Sequence, residues 1–586
     1  KPYFELTDAH KKILWDGSKG IKGINQFFAK LEAKSYKIQN RVLLSRYRGR
    51  TRCNTCNGKR LNEAANYVRI DGYTLSDFVD MPVNELTRVI ADLTLSEHQQ
   101  HIARRLLVEI NDRLHFLNQV GLGYLTLNRR ASTLSGGESQ RINLATSLGS
   151  SLVGSLYILD EPSIGLHPKD TKRLIAVLHA LRDLGNTVIV VEHDDDIMRA
   201  SDEIIDLGPD AGVFGGELVA QGTFEALLKA DTWTGKYLSK RASIPLPSTR
   251  IKTTKKLQIQ GAREHNLKNI DVSFPLHMLT VITGVSGSGK STLVKDILLP
   301  SIRKQKGIHG DKSGEFTSLE GDLNAFDDIQ YISQKPIGLS SRSNPVTYIK
   351  AYDEIRKLFA SLGVSKQRGY QAKHFSFNVD GGRCSNCKGE GTVKIEMQFM
   401  ADVDLICEEC NGKRFKKEVL EAKFQDKNIH DLLSMSIDEA IAFFAQHQNN
   451  KIADRLQPLQ DVGMGYVALG QSSSTLSGGE AQRIKLASFL LKGAQKNKTL
   501  FLFDEPTTGL HMHDINKLVG SFRALIARGH SLIVIEHNIS LIEQADHIID
   551  LGPEGGTNGG YILATGTPEE INVNKKSSLF NLLLTT

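Results

Sequence analysis

The sequence contains little cysteine and tryptophan and no long apolar run. Its 586 residues include only 6 cysteines and 2 tryptophans. No apolar run approaches the roughly 18 to 20 residues that a membrane-spanning helix needs, and no secretory signal opens the chain. The scarcity of cysteine argues against a secreted protein held together by disulfides. We therefore expect a cytoplasmic protein without a membrane segment.

Neither sign of charge is in large excess. The formal net charge is +7, which is mildly basic for a chain of this length. Such a balance permits a nucleic-acid partner and fits equally well with ordinary solvated surfaces. The length exceeds that of one domain and is sufficient for several hydrophobic cores.

The sequence lacks a second phosphate-binding loop, although it carries an ATPase signature twice. Leu-Ser-Gly-Gly-Glu occurs at residues 134–138 and again at 476–480, and each copy precedes an apolar run that ends in Asp-Glu. Gly-x4-Gly-Lys-Ser occurs only at residues 284–291. Two signatures predict two ATPase domains. The missing loop, and a first residue that is Lys1, lead us to expect the C-terminal part of a longer tandem ATPase.

Both halves show strands that alternate with helices, and several strands are continuously apolar. This pattern predicts an α/β fold with a buried, mainly parallel sheet in each half. The predicted segments are a signature-domain remnant (1–130), the C-terminal part of the first ATPase domain (131–242), a Pro/Ser/Thr-rich linker (243–256), the N-terminal part of the second ATPase domain (257–335), a signature-domain insertion with a zinc module (336–470), the C-terminal part of the second ATPase domain (471–570) and a tail (571–586).

The glycine-rich loop follows an apolar strand and precedes a helical pattern. Its glycines allow the backbone N–H groups to approach phosphates closely. Lys290 is predicted to reach the β- and γ-phosphates, and the Ser291 hydroxyl to ligate Mg²⁺. The nucleotide-contacting residues predicted from this loop are Gly284, Ser286, Gly287, Ser288, Gly289, Lys290, Ser291 and Thr292.

The residues predicted to carry hydrolysis follow other strands of the second half. Asp504 ends an apolar strand and is predicted to hold Mg²⁺ through water. Glu505 is predicted to orient or deprotonate the attacking water, since phosphoryl transfer mainly needs positioning and charge neutralisation. Gln334 is expected in a loop that senses Mg²⁺ and the water, and His537 is expected to contact the γ-phosphate.

In this order the motifs resemble the ATP-binding cassette superfamily. The resemblance implies tandem P-loop ATPase domains in which the signature of one domain faces the nucleotide held by the other. Ser135, Gly136 and Gly137 would then face nucleotide bound by the second half. The other site would use Asp160, Glu161 and His193 of the first half, together with Ser477, Gly478 and Gly479.

All six cysteines lie in Cys-x2-Cys pairs. Two pairs are separated by 19 residues, which is the spacing of a four-thiolate zinc site. We predict a structural zinc ion there, and the alternative is a redox-active dithiol. The predicted ligands are Cys384, Cys387, Cys407 and Cys410. The remaining pair, Cys53 and Cys56, is a half-site whose metal binding the sequence leaves open.

Basic residues surround the predicted zinc module. They are Lys388, Lys394, Lys413, Arg414, Lys416 and Lys417. With Phe399 and Phe415 nearby, they suggest a surface for the phosphate backbone of DNA. A solvated basic face around a zinc fold explains the same residues equally well.

Taken together, the motifs resemble the UvrA family, the damage-recognition ATPases of bacterial nucleotide excision repair. Besides the repeated signatures, the resemblance rests on Gly-Val-Ser-Gly-Ser-Gly-Lys-Ser-Thr at 284–292, Phe-Ser-Phe-Asn-Val at 375–379 and Ser-Arg-Ser-Asn-Pro at 341–345. It implies a homodimer that binds duplex DNA containing lesions, uses ATP, Mg²⁺ and Zn²⁺, and loads the helicase subunit UvrB. The family's N-terminal part, with its UvrB-docking region, has no counterpart here, and Ser139 and Ser333 depart from the family pattern.

Four alternatives remain at this stage. A UvrA-like self-resistance paralogue would share the motifs. A ribosome-acting tandem ATPase or a transporter ATPase subunit would lack the four-cysteine insertion. An inactive DNA-binding remnant would have no need of an intact Lys290, Glu505 and His537. ATP turnover that responds to DNA, and not to ribosomes, would distinguish the UvrA-like paralogue from the other three alternatives.

Overall fold

The computed structural model describes residues 3–47, 53–134, 136–149, 153–163, 165–308, 310–333, 337, 342–395, 403–491, 497–580 and 582–583. The chain divides into two compact units, residues 1–80 and 81–586, which are described separately. The division falls inside the segment 1–130 that the sequence predicted as one remnant. No helix in the described part of the chain is long and apolar enough to cross a membrane.

The first unit is helical. Its helices are α1 (Asp8–Asp16), α2 (Ile24–Ala33), α3 (Ile38–Tyr47) and α4 (Leu75–Asp80). Thr7 caps α1, because its hydroxyl accepts a hydrogen bond from the backbone N–H of His10. Neither α1 nor α2 has a buried residue. The first two helices of this unit therefore bury no apolar side chain.

The described part of residues 81–242 contains seven α-helices and four strands. They are α5 (Val83–Ala91), α6 (Glu97–Gln119), α7 (Gly136–Gly149), β1 (Leu156–Asp160), α8 (Pro168–Asp183), β2 (Thr187–Val191), α9 (Asp195–Ala200), β3 (Ile204–Gly208), β4 (Glu217–Gly222), α10 (Phe224–Lys229) and α11 (Trp233–Leu238). A capping box between Ser96 and Gln99 starts the long helix α6. The first signature forms the start of α7.

The second half begins with a small antiparallel sheet and the strand that leads to the phosphate loop. Its elements are β5 (Lys256–Ala262), β6 (Ile270–Pro275), β7 (Leu279–Gly284), α12 (Leu299–Gln305), β8 (Ser318–Gly321) and β9 (Asp328–Ile332). Strand β7 is buried throughout. A π-helical segment, Thr292–Leu298, connects the phosphate loop to α12.

The insertion between β9 and the second signature is mainly helical. It contains α13 (Pro345–Tyr348), α14 (Ala351–Ser361), α15 (Gly363–Gln367), β10 (Thr392–Ile395), β11 (Val403–Ile406), α16 (Lys417–Leu420), β12 (Lys423–Phe424), β13 (Lys427–Asn428), α17 (Ile429–Ser434), α18 (Ile437–Gln446) and α19 (Asn450–Asp461). Strands β10 and β11 pair antiparallel between the two cysteine pairs. Phe375, Phe377 and Phe415 are buried in its core.

The last elements complete a six-stranded sheet. They are α20 (Gly478–Leu491), β14 (Thr499–Asp504), α21 (Met512–Ala527), β15 (Ser531–Ile535), α22 (Ile539–Ile542), β16 (His547–Gly552), β17 (Tyr561–Gly566) and α23 (Pro568–Asn572). The strand order is β17-β16-β7-β15-β14-β9, and only β17 runs antiparallel to its neighbour. This confirms the predicted α/β fold with a mainly parallel sheet.

The first half contains only part of the corresponding sheet. Strands β1 and β2 pair in parallel, and β3 and β4 pair antiparallel, as β14–β15 and β16–β17 do in the second half. In the second half β7 lies between β15 and β16, whereas no described strand joins β2 to β3. Ile158 and Ile205 are consequently 66% and 64% exposed, while their counterparts Leu502 and Ile549 are 0% exposed.

Candidate active site

The phosphate loop of the second half is a tight backbone cradle around a lysine. Gly284 has a φ of +136°, and a Cβ atom there would lie 1.9 Å from the carbonyl oxygen of Leu551, so only glycine fits. The buried Lys290 donates hydrogen bonds of 2.9 Å to the carbonyl oxygens of Gly284 and Val285. Burial lowers the pKa of Lys290 to about 8, against the attraction of Glu505.

Two buried polar atoms beside this loop fit an anionic ligand. The Ser288 hydroxyl and the Nδ1 atom of His537 have no hydrogen-bond partner among the described residues. Polar groups buried in this way are costly unless a ligand or water satisfies them. Ser291 lies exposed where the loop ends, and the helical segment from Thr292 onward directs its N-terminus toward the loop. These features fit the phosphates of a nucleotide.

The two carboxylates lie at the end of β14, as predicted. An oxygen of the Asp504 carboxylate accepts a 2.6 Å hydrogen bond from the Tyr331 hydroxyl. The backbone carbonyl oxygen of Asp504 accepts one of 2.7 Å from the Gln482 side chain. Glu505 has a φ of +47°, a strained backbone for a side chain of this type. Its N–H donates to the carbonyl oxygen of Ile535 at 3.0 Å, which holds it beside the next strand.

Glu505 and His537 form the pair expected for water activation. Oε1 of Glu505 lies 3.8 Å from Nε2 of His537. Burial raises the pKa of Glu505 to about 7; the carboxylates of Asp504 and Glu536 add to this effect, and Lys290 opposes it. Burial and the charge of Lys290 hold the pKa of His537 well below its usual value, so the imidazole is neutral. A carboxylate with a pKa near neutrality is suited to general-base work.

A buried glutamate that no sequence motif predicted holds this pair in place. The Glu536 carboxylate accepts hydrogen bonds from the N–H groups of Thr507 (2.9 Å) and His537 (2.6 Å). Glu192 does the same in the first half, where it accepts from the N–H of Ser163 at 2.7 Å. The signal available in the sequence was the Glu-His pair that follows β2 in the first half and β15 in the second.

Residues of the first half reach the phosphate loop of the second half. A Cβ atom at Gly287 would lie 2.9 Å from the ring of Tyr124, so the loop lies directly against this tyrosine. The Tyr124 hydroxyl donates a 2.5 Å hydrogen bond to Glu138 of the first signature. The Ser286 hydroxyl donates to the carbonyl oxygen of Gly165 at 3.1 Å. Glu138 of the first signature is thereby linked, through Tyr124, to the phosphate loop of the second half.

The contacts between the halves are reciprocal at the two glutamates. A Cβ atom at Gly165 of the first half would lie 3.0 Å from Oε2 of Glu505. A Cβ atom at Gly509 of the second half would lie 2.9 Å from Oε1 of Glu161. Both glycines have a φ near +66°. Each half thus presents a glycine to the catalytic carboxylate predicted for the other half.

The predicted first-half residues are arranged like their counterparts in the second half. Glu161 has a φ of +45°, and its Oε1 lies 3.9 Å from Nε2 of His193. Gln140 donates a hydrogen bond to the carbonyl oxygen of Asp160, as Gln482 does in the second half. These contacts bring together the first-half residues predicted from the sequence, with Gly509 against them from the other half.

The second signature starts helix α20 through a capping box. The N–H of Ser477 donates to the Glu480 carboxylate at 2.8 Å, and the N–H of Glu480 donates to the Ser477 hydroxyl at 3.2 Å. Gly478 and Gly479 form the first turn of this helix. In the first signature Gly136 and Gly137 start α7 in the same way. Two predicted residues, Ser135 and Gln334, lie outside the described residues.

The four cysteines of the insertion converge on one point. Their sulfur atoms all lie within 4.8 Å of one another, and all four residues are buried. The Sγ–Sγ distance is 3.6 Å between Cys387 and Cys410 and 3.9 Å between Cys384 and Cys407. A tetrahedral zinc ion with Zn–S bonds of about 2.3 Å places its ligands roughly 3.8 Å apart. The cysteine cluster therefore fits zinc.

The isolated pair, Cys53 and Cys56, lies on the same type of turn. Asn57 has a φ of 48° and Asn411, after Cys410, a φ of 47°. In both turns the N–H three residues after the second cysteine donates to its carbonyl oxygen, at 2.8 and 2.9 Å. Within the described part of the chain, three or more metal-ligating side chains converge only at the four-cysteine cluster.

The basic residues near the zinc module differ in their surroundings. Arg414 donates to the carbonyl oxygen of Gly470 at 2.9 Å and lies over the ring of Phe377, so it supports the fold. Phe415 is buried and cannot stack on a base, and Phe399 lies outside the described residues. The predicted basic residues with exposed side chains are Lys388, Lys394, Lys413, Lys416 and Lys417.

Comparisons with known proteins identify relatives of this chain. The ABC transporter family model matches residues 267–508. The UvrABC system protein A of Staphylococcus epidermidis is 48% identical over 98% of this chain, which covers 63% of that relative. The protein of the same name from Staphylococcus aureus is 47% identical with the same coverage. The chain thus spans less than two thirds of the length of these curated relatives.

A solved structure extends the comparison to the fold. UvrA2 from Deinococcus radiodurans superposes on this chain with a TM-score of 0.86 and 36% sequence identity. The match covers 99% of this chain and 75% of the other. The likeness therefore includes both halves and the cysteine-bearing insertion between β9 and the second signature.

Proposed function

The chain belongs to the UvrA family, and on this premise we propose that it hydrolyses ATP between its two halves and couples hydrolysis to the recognition of damaged DNA. The observation that carries the proposal is the contact between the phosphate loop of the second half and first-half residues. Tyr124, hydrogen-bonded to Glu138 of the first signature, lies against Gly287 of that loop. One composite ATP site is thereby assembled within this chain.

In the hydrolysis step, water attacks the γ-phosphorus of ATP, and ADP and phosphate leave. Lys290 and the N–H groups of the loop bind the phosphate oxygens. Glu505 orients the water and accepts its proton, because a carboxyl with a pKa near 7 is largely ionised above neutrality. Ser291 and Asp504 are the residues that would hold Mg²⁺, which neutralises charge on the β- and γ-phosphates when bound.

The second composite site uses Glu161, His193 and the second signature. It needs a strand between β2 and β3 and a phosphate loop after that strand, as β7 provides in the second half. The apolar side chains of Ile158 and Ile205 mark the face on which such a segment would pack. We infer that a segment outside the 586 residues completes this site, in line with the greater length of the relatives.

The proposed nucleic-acid partner is duplex DNA that contains lesions. The exposed lysines around the zinc module supply charge for phosphate contacts, which position a protein without reading base sequence. Recognition through the deformability of the duplex follows from such contacts. The buried cysteine cluster, with zinc bound, would hold this surface rigid. A homodimer and a role in loading the helicase subunit UvrB belong to the same proposal.

The test is a gel-shift and ATPase assay with duplexes that differ by one bulky adduct. We expect tighter binding of the adducted duplex and turnover that changes when DNA is added. Lys290→Ala should abolish turnover, because no other described residue replaces its charge in the loop. The matched control is Lys295→Ala, an exposed lysine one turn further along the same helix, which should retain turnover.

Each outcome has a defined meaning. Turnover that ignores DNA would refute the damage-recognition role while leaving the ATPase in place. Turnover that survives in Lys290→Ala would refute the assignment of the site. Discrimination between the duplexes that requires ATP would support the full proposal.

A further inference from the structure

Tyr331 has no role in the site as described so far, yet it touches one of the proposed Mg²⁺-holding residues. Its hydroxyl donates a 2.6 Å hydrogen bond to Oδ2 of Asp504. The tyrosine is half-buried on strand β9, and its ring packs against the apolar cluster below the phosphate loop. This contact joins an edge strand of the sheet to a carboxylate of the proposed metal site.

The position of Tyr331 is fixed by the sheet and by the signature helix. Strands β9 and β14 pair in parallel, with Tyr331 opposite Leu502 and Ile332 opposite Phe503. The end of β9 is held by Lys485 on helix α20, whose ammonium group donates to the carbonyl oxygen of Ser333 at 2.9 Å. The hydroxyl is therefore presented to Asp504 by elements that are themselves anchored.

The hydrogen bond restricts what the Asp504 carboxylate can do. A carboxylate held by one donor at one oxygen has a defined orientation and offers its other oxygen to a metal or a metal-bound water. Mg²⁺ demands nearly ideal octahedral geometry, so the orientation of its ligands matters.

We propose that Tyr331 is a positioning residue for Mg²⁺ in the second-half ATP site, acting through the orientation of Asp504. The inference rests on the proposed function, in which this site binds nucleotide together with Mg²⁺. Groups that orient metal ligands typically contribute 10- to 100-fold to metal affinity. Loss of the hydroxyl should leave the Asp504 carboxylate free to rotate and weaken the metal site.

The test is the Mg²⁺ dependence of nucleotide binding by Tyr331→Phe, which removes one oxygen atom and keeps the ring. Binding of a fluorescent ADP analogue is followed while Mg²⁺ is titrated, so the readout does not depend on turnover. We expect the Mg²⁺ concentration at half-saturation to rise on the order of tenfold. The affinity measured in excess chelator, without Mg²⁺, should equal that of the unaltered protein.

The matched control is Tyr352→Phe. The Tyr352 hydroxyl also donates a 2.6 Å hydrogen bond, in this case to the carbonyl oxygen of Phe375 in the core of the insertion. It should leave the Mg²⁺ dependence unchanged. A second variant, Tyr331→Met, removes the donor with a flexible apolar side chain and should repeat the shift seen with Tyr331→Phe.

An unchanged or lowered half-saturating Mg²⁺ concentration in both Tyr331 variants would overturn the inference. An equal rise of the half-saturating Mg²⁺ concentration in Tyr352→Phe would also overturn it, because that result would attribute the weaker Mg²⁺ binding to a loss of stability. If the unaltered protein binds the analogue without any response to Mg²⁺, the proposed ATP site itself fails, and that outcome is distinct from the first two.

Discussion

Replacement of Glu505 by glutamine should stabilise the protein, and the gain should depend on pH. The carboxyl has a pKa raised from 4.5 to about 7 by burial and by neighbouring carboxylates. Below pH 4.5 it is protonated in the folded and the unfolded chain alike, and its ionisation affects neither. As the pH rises toward 7 the unfolded chain ionises first, so ionisation increasingly favours unfolding.

The magnitude follows from the shift. Each pKa unit corresponds to about 1.4 kcal/mol, so the full cost of this carboxylate in the folded state is about 3 kcal/mol near pH 8 and about 1 kcal/mol near pH 5. The pKa of about 7 for Glu505 already reflects the attraction of Lys290, which lowers it. Glutamine cannot ionise and removes this cost. Turnover should fall on the order of 10² to 10⁴-fold at the same time, because the proposed general base is lost.

The assay is thermal unfolding of Glu505→Gln and the unaltered protein, without nucleotide, near pH 5 and near pH 8. The melting temperature should rise at both values and clearly more at the higher one. Glu161→Gln is the matched variant in the first half, where burial also raises the pKa of the carboxyl. Equal gains at the two pH values, or a loss near pH 8, would refute the reasoning.

Three further predictions concern the proposed ATP site and the cysteine cluster. Gly165→Ala should lower turnover on the order of tenfold to a hundredfold, because its Cβ atom displaces the Glu505 carboxylate; Gly509→Ala, the matched change, should affect second-half turnover less. Turnover should rise about tenfold per pH unit below pH 7 and level off above it, as Glu505 ionises; a flat profile would contradict its role. Cys410→Ser should abolish zinc binding as measured by metal analysis, whereas Cys56→Ser should leave the zinc content unchanged.

Much of the candidate site could be predicted because its signals are local. The phosphate loop around Lys290 and the carboxylates at the end of β14 are each encoded by a few consecutive residues. The four-cysteine cluster was predicted from spacing alone, since two turns with paired cysteines converge whenever the connecting strands form a hairpin. The alternation of strands and helices was sufficient to predict a mainly parallel sheet.

Other features depend on how distant parts of the chain meet, and no local pattern encodes them. Tyr124 and Gly165 reach the second-half site only because the two halves pack together. Tyr331 is an ordinary strand residue until β9 pairs with β14. Arg414 was grouped with the surface lysines because a sequence does not distinguish an exposed cation from one that supports a neighbouring backbone carbonyl.

The reciprocal glycines have a consequence for how the repeat can evolve. Gly165 of the first half lies against Glu505, and Gly509 of the second half lies against Glu161. A substitution at either glycine therefore damages the partner copy and leaves its own carboxylate untouched. Gene duplication usually frees one copy to diverge, but here each copy carries a glycine that lies against the predicted catalytic carboxylate of the other. The two repeats are therefore constrained to change together at these positions.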